Sequence, residues 1–197
     1  MEALSSNAAK YATGNPLVRR LLYRFLDRVV DSVAATQPTR IIDLGCGEGL
    51  VGEQIRRRLP RVEYRGIELD PTAAGHARER LPNAQIECGN LLSIQPEADW
   101  GEVALCLEVL EHLDRPAAAV EQIATWCSER AVISVPFEPW FRLGNLARGK
   151  YLARLGNHPE HIQQFGRGSL EALLSPHFRT VRVEVVFPWL IADCRHR

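Results

Sequence analysis

After residue 39 the chain alternates short apolar runs with amphipathic stretches, and this alternation constrains the fold more than any other feature. Arg40–Leu44 (RIIDL) is a continuous apolar run that stops at glycine, the pattern of a strand covered on both faces. Val51–Leu59 reads as a helix, Tyr64–Leu69 as a strand, and Pro71–Leu81 as a helix opened by proline. Ala84–Cys88 and Val103–Leu107 read as strands, Pro116–Cys127 as a helix, and Ala131–Val135 as a further strand. Gly168–Leu174 is a short helix, and Val181–Phe187 and Leu190–Cys194 close the chain as two strands about Pro188. This order predicts an α/β fold, a mostly parallel sheet of seven strands with helices on both faces and the last strand antiparallel. Before it, residues 16–35 place Leu17, Leu21, Phe25, Val29 and Val33 on one helical stripe, beside Leu22, Leu26 and Val30, with Asn15 as N-cap and Pro16 in the first turn.

The whole chain of 197 residues, 46% hydrophobic, reads as one domain spanning 1–197, with a helical segment at 1–37. Residues 137–166 have no clean period and are expected to form a lid-like insertion. The 24 Lys and Arg balance the 24 Asp and Glu, which disfavours a general polyanion binder. The five cysteines form no CxxC pair, so a zinc ribbon is not expected; most sit in apolar runs and are predicted to be buried free thiols. No signal-peptide core and no apolar run near ~20 residues is visible, so the expectation is a cytoplasmic chain without a membrane span.

In sheets of this kind ligands bind beyond the carboxyl ends of the strands. The first strand ends in Asp43-Leu44-Gly45-Cys46-Gly47-Glu48-Gly49, where Gly45 and Gly47 permit a tight turn and close backbone approach. The spacing is GxGxG, with Leu50 where a dinucleotide loop would carry its last glycine. Asp43 and Glu48 bracket the loop, and carboxylates there would repel a pyrophosphate. S-adenosylmethionine, with a sulfonium, an ammonium and no phosphate, suits such a loop better than NAD. Glu68 ends the second strand, where a carboxylate can accept both hydroxyls of a ribose. Asn90 follows the third strand, and Leu107-Glu108 end the fourth.

DLGCGEG, GIELDP and LEVLEHL resemble motifs of the class I S-adenosylmethionine-dependent methyltransferases, strongly over residues 39–136 and loosely over the C-terminal strands. The resemblance implies a Rossmann-like sheet and methyl transfer from S-adenosylmethionine. It implies that Asp43, Gly45 and Gly47 meet the methionine part of the cofactor and Glu68 its ribose. Asn90 would meet the adenine, and Leu107, through its backbone, the methionine, with Glu108 beside it. The third-strand position is often Asp in this family, and Asp70 is the alternative to Glu68 for the ribose.

Glu108, Glu111, His112, His158 and His161 are the remaining chemical groups near these strand ends. For a hydroxyl acceptor a neutral imidazole can take the proton, with His112 as first candidate, beside Glu111, and His158 or His161 of the HPEH stretch as second. Between Pro139 and Pro159 there is no acid, and Arg142, Arg148, Lys150 and Arg154 make the stretch locally basic among Trp140, Phe141 and Tyr151. Bounded by Phe137 and Phe165, this segment is expected to bind a small anionic or lipid-like acceptor. Tyr11, Thr13 and Asn15 are expected to line the cofactor side. The expectation is therefore a methyltransferase acting on a small molecule, at oxygen, with no metal and no nucleic-acid partner. Two alternatives stand beside it. ExxEH followed by HxxH resembles the metal-dependent small-RNA 2′-O-methyltransferases, although EVLEHL also occurs in class I enzymes that use no metal. The other is a domain that binds S-adenosylmethionine without catalysis.

Overall fold

A computed structural model describes residues 15–94, 100–137 and 163–196. The elements run in the predicted order. Helix α1 (Pro16–Ala34) precedes β1 (Arg40–Leu44), α2 (Leu50–Arg58), β2 (Glu63–Glu68), α3 (Pro71–Arg80), β3 (Gln85–Cys88) and β4 (Gly101–Leu107). A 3-10 turn (Leu110–His112), α4 (Pro116–Trp126), β5 (Cys127–Pro136), α5 (Arg167–Leu174), β6 (Thr180–Val186) and β7 (Trp189–Arg195) complete it. The seven strands form one sheet in the order β3-β2-β1-β4-β5-β7-β6. Only β7 runs antiparallel, pairing with both β5 and β6. The sequence order reverses at β1, flanked by β2 and β4, and that reversal opens the crevice in which doubly wound sheets hold ligands.

Alternation along β1 assigns the two faces. Ile41 packs with Phe25, Val29, Ile55 and Tyr64 under α1 and α2. Ile42 and Leu44 pack with Cys106, Ile123, Trp126 and Leu170 under α4 and α5. Helix α1 begins where Asn15 Oδ1 accepts the Leu17 N–H at 2.9 Å, with Pro16, which has no N–H, needing no acceptor. The buried stripe runs Leu22, Phe25, Leu26, Val29 and Val33. Leu17, expected on that stripe, is 65% exposed. The seam enters the first turn at Val18, which packs on the core and leaves Leu17 one residue, about 100°, off it.

Strand β5 starts earlier than the sequence suggests. Cys127, expected as the last helical residue, is already extended (φ −117°, ψ 143°) and pairs with Gly101. The register then shifts before Val103 meets Arg130, which leaves Ser128 and Glu129 exposed, so their polarity reads as a loop in sequence. Four cysteines are buried, whereas Cys88, at the end of an edge strand only four residues long, is exposed. No helix among the described residues is long and apolar enough to cross a membrane.

Candidate active site

Between β1 and α2 the chain turns through Gly45, Gly47 and Gly49, all at positive φ (83°, 55° and 76°), backbone that a side chain would strain. At Gly45 a Cβ would lie 2.3 Å from Val109 Cγ2, so the loop is pressed against the segment that follows β4. The N–H groups of Gly45 and Cys46 both donate to the Ile67 carbonyl, at 2.8 and 3.0 Å, tying the loop to the end of β2. Glu68 completes this link. Its Oε2 accepts the Gly47 N–H at 2.8 Å and its Oε1 accepts the Asp70 N–H at 2.9 Å. Each carboxylate oxygen has one backbone donor and keeps lone pairs for a further pair of hydroxyls. Asp70, the alternative ribose acid, instead caps α3, its Oδ1 accepting the Thr72 N–H at 2.9 Å. The geometry therefore favours Glu68.

A narrow open cleft lies along this loop. Its walls are Asp43 and the glycine loop on one side, and Leu107 and Glu108 of the β4 end on the other. Leu22 and Phe25 of α1 and Trp189 of β7 complete it. Glu108 has φ +55°, uncommon for a residue other than glycine. Two bonds hold it there. Its N–H donates to the Ser134 carbonyl at 2.9 Å, and its Oε1 accepts the indole N–H of Trp189. The Trp189 ring rests on Phe25 at a centroid distance of 4.7 Å.

Acids dominate the cleft. Asp43 is 2% exposed and accepts a hydrogen bond from the Tyr64 hydroxyl. Burial pushes its carboxyl up to about 6; the Tyr64 bond pulls down against this and the Glu68 charge pushes further up. Glu48 is buried, its Oε1 has no hydrogen-bond partner, and His76 Nδ1 stands 3.8 Å from it. Burial, with the charges of Asp43 and Glu68, pushes the Cys46 thiol up as well, so it serves as packing.

The other predicted residues are more dispersed. Asn90 is exposed after β3, and its Oδ1 accepts the Leu92 N–H at 2.9 Å, which leaves one lone pair and the amide N–H groups for an adenine edge. His112 is exposed on the 3-10 turn, its Nε2 4.0 Å from Glu111 Oε1, while Glu111 is buried and neither lines the cleft. The Gln163 N–H donates to the Glu111 carbonyl at 3.0 Å, and the Phe137 N–H to the Pro188 carbonyl at 2.9 Å. Phe137 and Gln163 are thus both held at the carboxyl edge of the sheet. His158, His161, Tyr11, Thr13 and the basic side chains Arg142, Arg148, Lys150 and Arg154 lie outside the described residues. Among the described residues no three His, Cys, Asp or Glu side chains converge as a metal-binding group.

This donor set fits a cation-bearing ligand with vicinal hydroxyls. A buried Glu48 oxygen without a donor and a buried Asp43 carboxylate would both be relieved by positive charge, and a pyrophosphate would aggravate both. Residues 17–176 match the family model described as Methyltransferase domain. The chain belongs to the class I S-adenosylmethionine-dependent methyltransferases. Within this family it resembles the ubiquinone biosynthesis O-methyltransferase of Alkalilimnicola ehrlichii, 34% identical over 104 residues, which is 50% of this chain and 41% of the relative. It also resembles the trans-aconitate 2-methyltransferase of Methylobacterium nodulans, 28% identical over 130 residues, 62% of this chain and 50% of the relative. The chain thus spans half the length, or less, of these two curated methyltransferases. The SAH-bound magnesium protoporphyrin IX methyltransferase of Synechocystis PCC 6803 shares the methyltransferase fold, with a TM-score of 0.72 at 16% identity over 96% of this chain and 92% of that one. Sequence reasoning missed Tyr64, Phe25 and Trp189 as parts of the site. Only the position of Tyr64, two residues before Gly66 on the same face of β2, offered a signal.

Proposed function

We propose that this chain transfers a methyl group from S-adenosylmethionine to an oxygen atom of a small acceptor bearing negative charge. The observation that carries the reading is the Glu68 carboxylate, bonded by backbone N–H groups of the glycine loop and of Asp70 and left with lone pairs for two ribose hydroxyls. Glu68 holds the ribose and Asn90 the adenine edge. Asp43 and Glu48 supply the negative field for the methionine end, and Leu107 and Glu108 form the wall behind it. When bound, the cofactor supplies a methyl group on a sulfonium, so the protein's tasks are alignment, exclusion of water and removal of a proton. Phe25, Leu22 and Trp189 exclude water on one side of the cleft. His112 accepts the acceptor's hydroxyl proton, with His158 and His161 as further candidates and Glu111 beside His112. Oxygen as the methylated atom accords with the ubiquinone biosynthesis and malonyl-[acyl-carrier protein] O-methyltransferases among the relatives.

An anionic acceptor accords with the basic stretch holding Arg142, Arg148, Lys150 and Arg154, which is flanked by Phe137 and Gln163 at the carboxyl edge of the sheet. The test is a screen with methyl-labelled cofactor against fractionated small molecules, followed by kinetics on the product found. Replacing Arg148 and Lys150 together with alanine should raise the acceptor KM and leave cofactor affinity unchanged. An unchanged KM contradicts the anionic-acceptor reading, and label that stays on the cofactor in every fraction contradicts transfer.

A further inference from the structure

Beneath the glycine loop, Asp43 of β1 and Tyr64 of β2 share one face of the sheet on a diagonal. Asp43 is in register with Gly66 and Tyr64 with Ile41. Both side chains are buried, 2% and 3% exposed. The Tyr64 hydroxyl donates to Asp43 Oδ2, which leaves Oδ1 for a ligand in the cleft that Asp43 lines. The phenol is clamped from above by α2. A Cβ on Gly52 would lie 2.6 Å from Tyr64 Cζ and 2.7 Å from its Oη, so the helix carries glycine where the ring passes beneath it. The ring therefore has one place to stand, with its O–H directed at one carboxylate.

We infer that Tyr64 is a positioning residue for the cofactor site, fixing the orientation of the Asp43 carboxylate through a single buried hydrogen bond. This rests on the reading of the cleft as the S-adenosylmethionine site. The groups around Asp43 are Tyr64 and Glu68 of β2, Cys46 and Glu48 of the glycine loop and Cys106 of β4. Helices α1 and α2 contribute apolar side chains to the cleft, Leu22 and Phe25, and Leu50 and Val51, whereas α3 brings His76 to 3.8 Å from Glu48 and sets the Arg78 charge against Cys46. Among the described residues no Lys, Arg or His pairs with Asp43 itself, and the Tyr64 bond is the interaction that opposes its protonation. Burial raises the Asp43 carboxyl to about 6, and losing this bond would raise it further.

The test is calorimetric titration of the full chain with S-adenosylhomocysteine, wild type against Tyr64→Phe, between about pH 6 and about pH 8. The variant keeps the ring and loses only the donor. Its affinity should be about tenfold weaker near neutral pH. Its loss of affinity on acidification should begin at higher pH than in the wild type, because the Asp43 carboxyl rises when the bond is removed. Titration of the ligand's own groups is common to both proteins and cancels in the ratio. In an Asp43→Asn background the same Tyr64→Phe change should have little further effect on binding. Equal affinities with superimposable pH profiles overturn the inference, as does an undiminished Tyr64→Phe effect in the Asp43→Asn background. A wild-type chain that does not bind S-adenosylhomocysteine overturns the cofactor reading itself, so the two failures are distinct.

Discussion

At the amino end of the central strands Glu102 sits among donors. Its carboxylate accepts the Arg40 N–H at 2.9 Å, the Thr39 N–H and the Thr39 hydroxyl at 2.8 Å. Partial burial would raise its carboxyl, but these bonds and the Arg40 charge outweigh that and hold it below the usual range. Nearby, Arg130 forms a two-pronged pair with Asp193 and reaches Thr36 Oγ1 at 3.3 Å. At the carboxyl end of the same strands the pattern reverses. Asp43, Glu48 and Glu108 line one cleft, Glu68 is bonded to the Gly47 N–H of its glycine loop, and the Asp43 carboxyl is pushed up to about 6. One edge of the sheet satisfies its charges internally and contributes stability. The other keeps Asp43 buried with its carboxyl raised and a Glu48 oxygen buried without a hydrogen bond, which is unfavourable in the free chain and useful once a cationic ligand arrives.

Substitutions at the two edges should separate accordingly. The largest effect belongs to the amino edge. Asp193→Ala strands the buried Arg130 guanidinium and should destabilise the fold by about 3–5 kcal/mol in denaturant titration, with unchanged S-adenosylhomocysteine affinity in the folded fraction. At the carboxyl edge, Glu68→Gln should weaken that affinity by about ten- to a hundredfold by calorimetry, because it removes a charged acceptor from the ribose site. Asp43→Asn should do two opposite things. The folded chain holds the Asp43 proton more tightly than the unfolded chain, so stability falls as pH rises from the ordinary carboxylate value of 3.8 to about 6. Removing that titration should raise the neutral-pH stability of the ligand-free protein by roughly 1–3 kcal/mol and weaken cofactor binding. The smallest effect is at Glu102→Gln, about 1 kcal/mol or less because solvent screens the site. Its sign is the reverse of Asp43. The stability that Glu102 contributes is present at neutral pH and lost as pH falls through its lowered carboxyl range. The variant should therefore show a flatter acid limb.

The sheet was legible because its buried strands are written as unbroken apolar runs and three of its helices open on proline, at Pro16, Pro71 and Pro116, local signals that tertiary packing did not overrule. The strand-end residues Asp43, Gly45, Gly47 and Glu68 were legible because a glycine turn and an acid at a fixed strand end carry their chemistry in their position. Tyr64 and Trp189 were not, because each reads as an ordinary core aromatic until the fold brings its polar tip to a carboxylate on another strand. The start of β5 was hidden by the bulge that turns Ser128 and Glu129 outward. In the same way, the sequence marks Leu17 as apolar but cannot say that Val18 carries the seam.

The central claim is that the acid-rich carboxyl edge is a site for a cationic nucleoside cofactor. Calorimetric titration of the intact chain with S-adenosylhomocysteine, and separately with NAD, tests it most directly. One-to-one binding of S-adenosylhomocysteine, weakened in Glu68→Gln and absent for NAD, is the predicted result. Binding of NAD with no response to S-adenosylhomocysteine would contradict it.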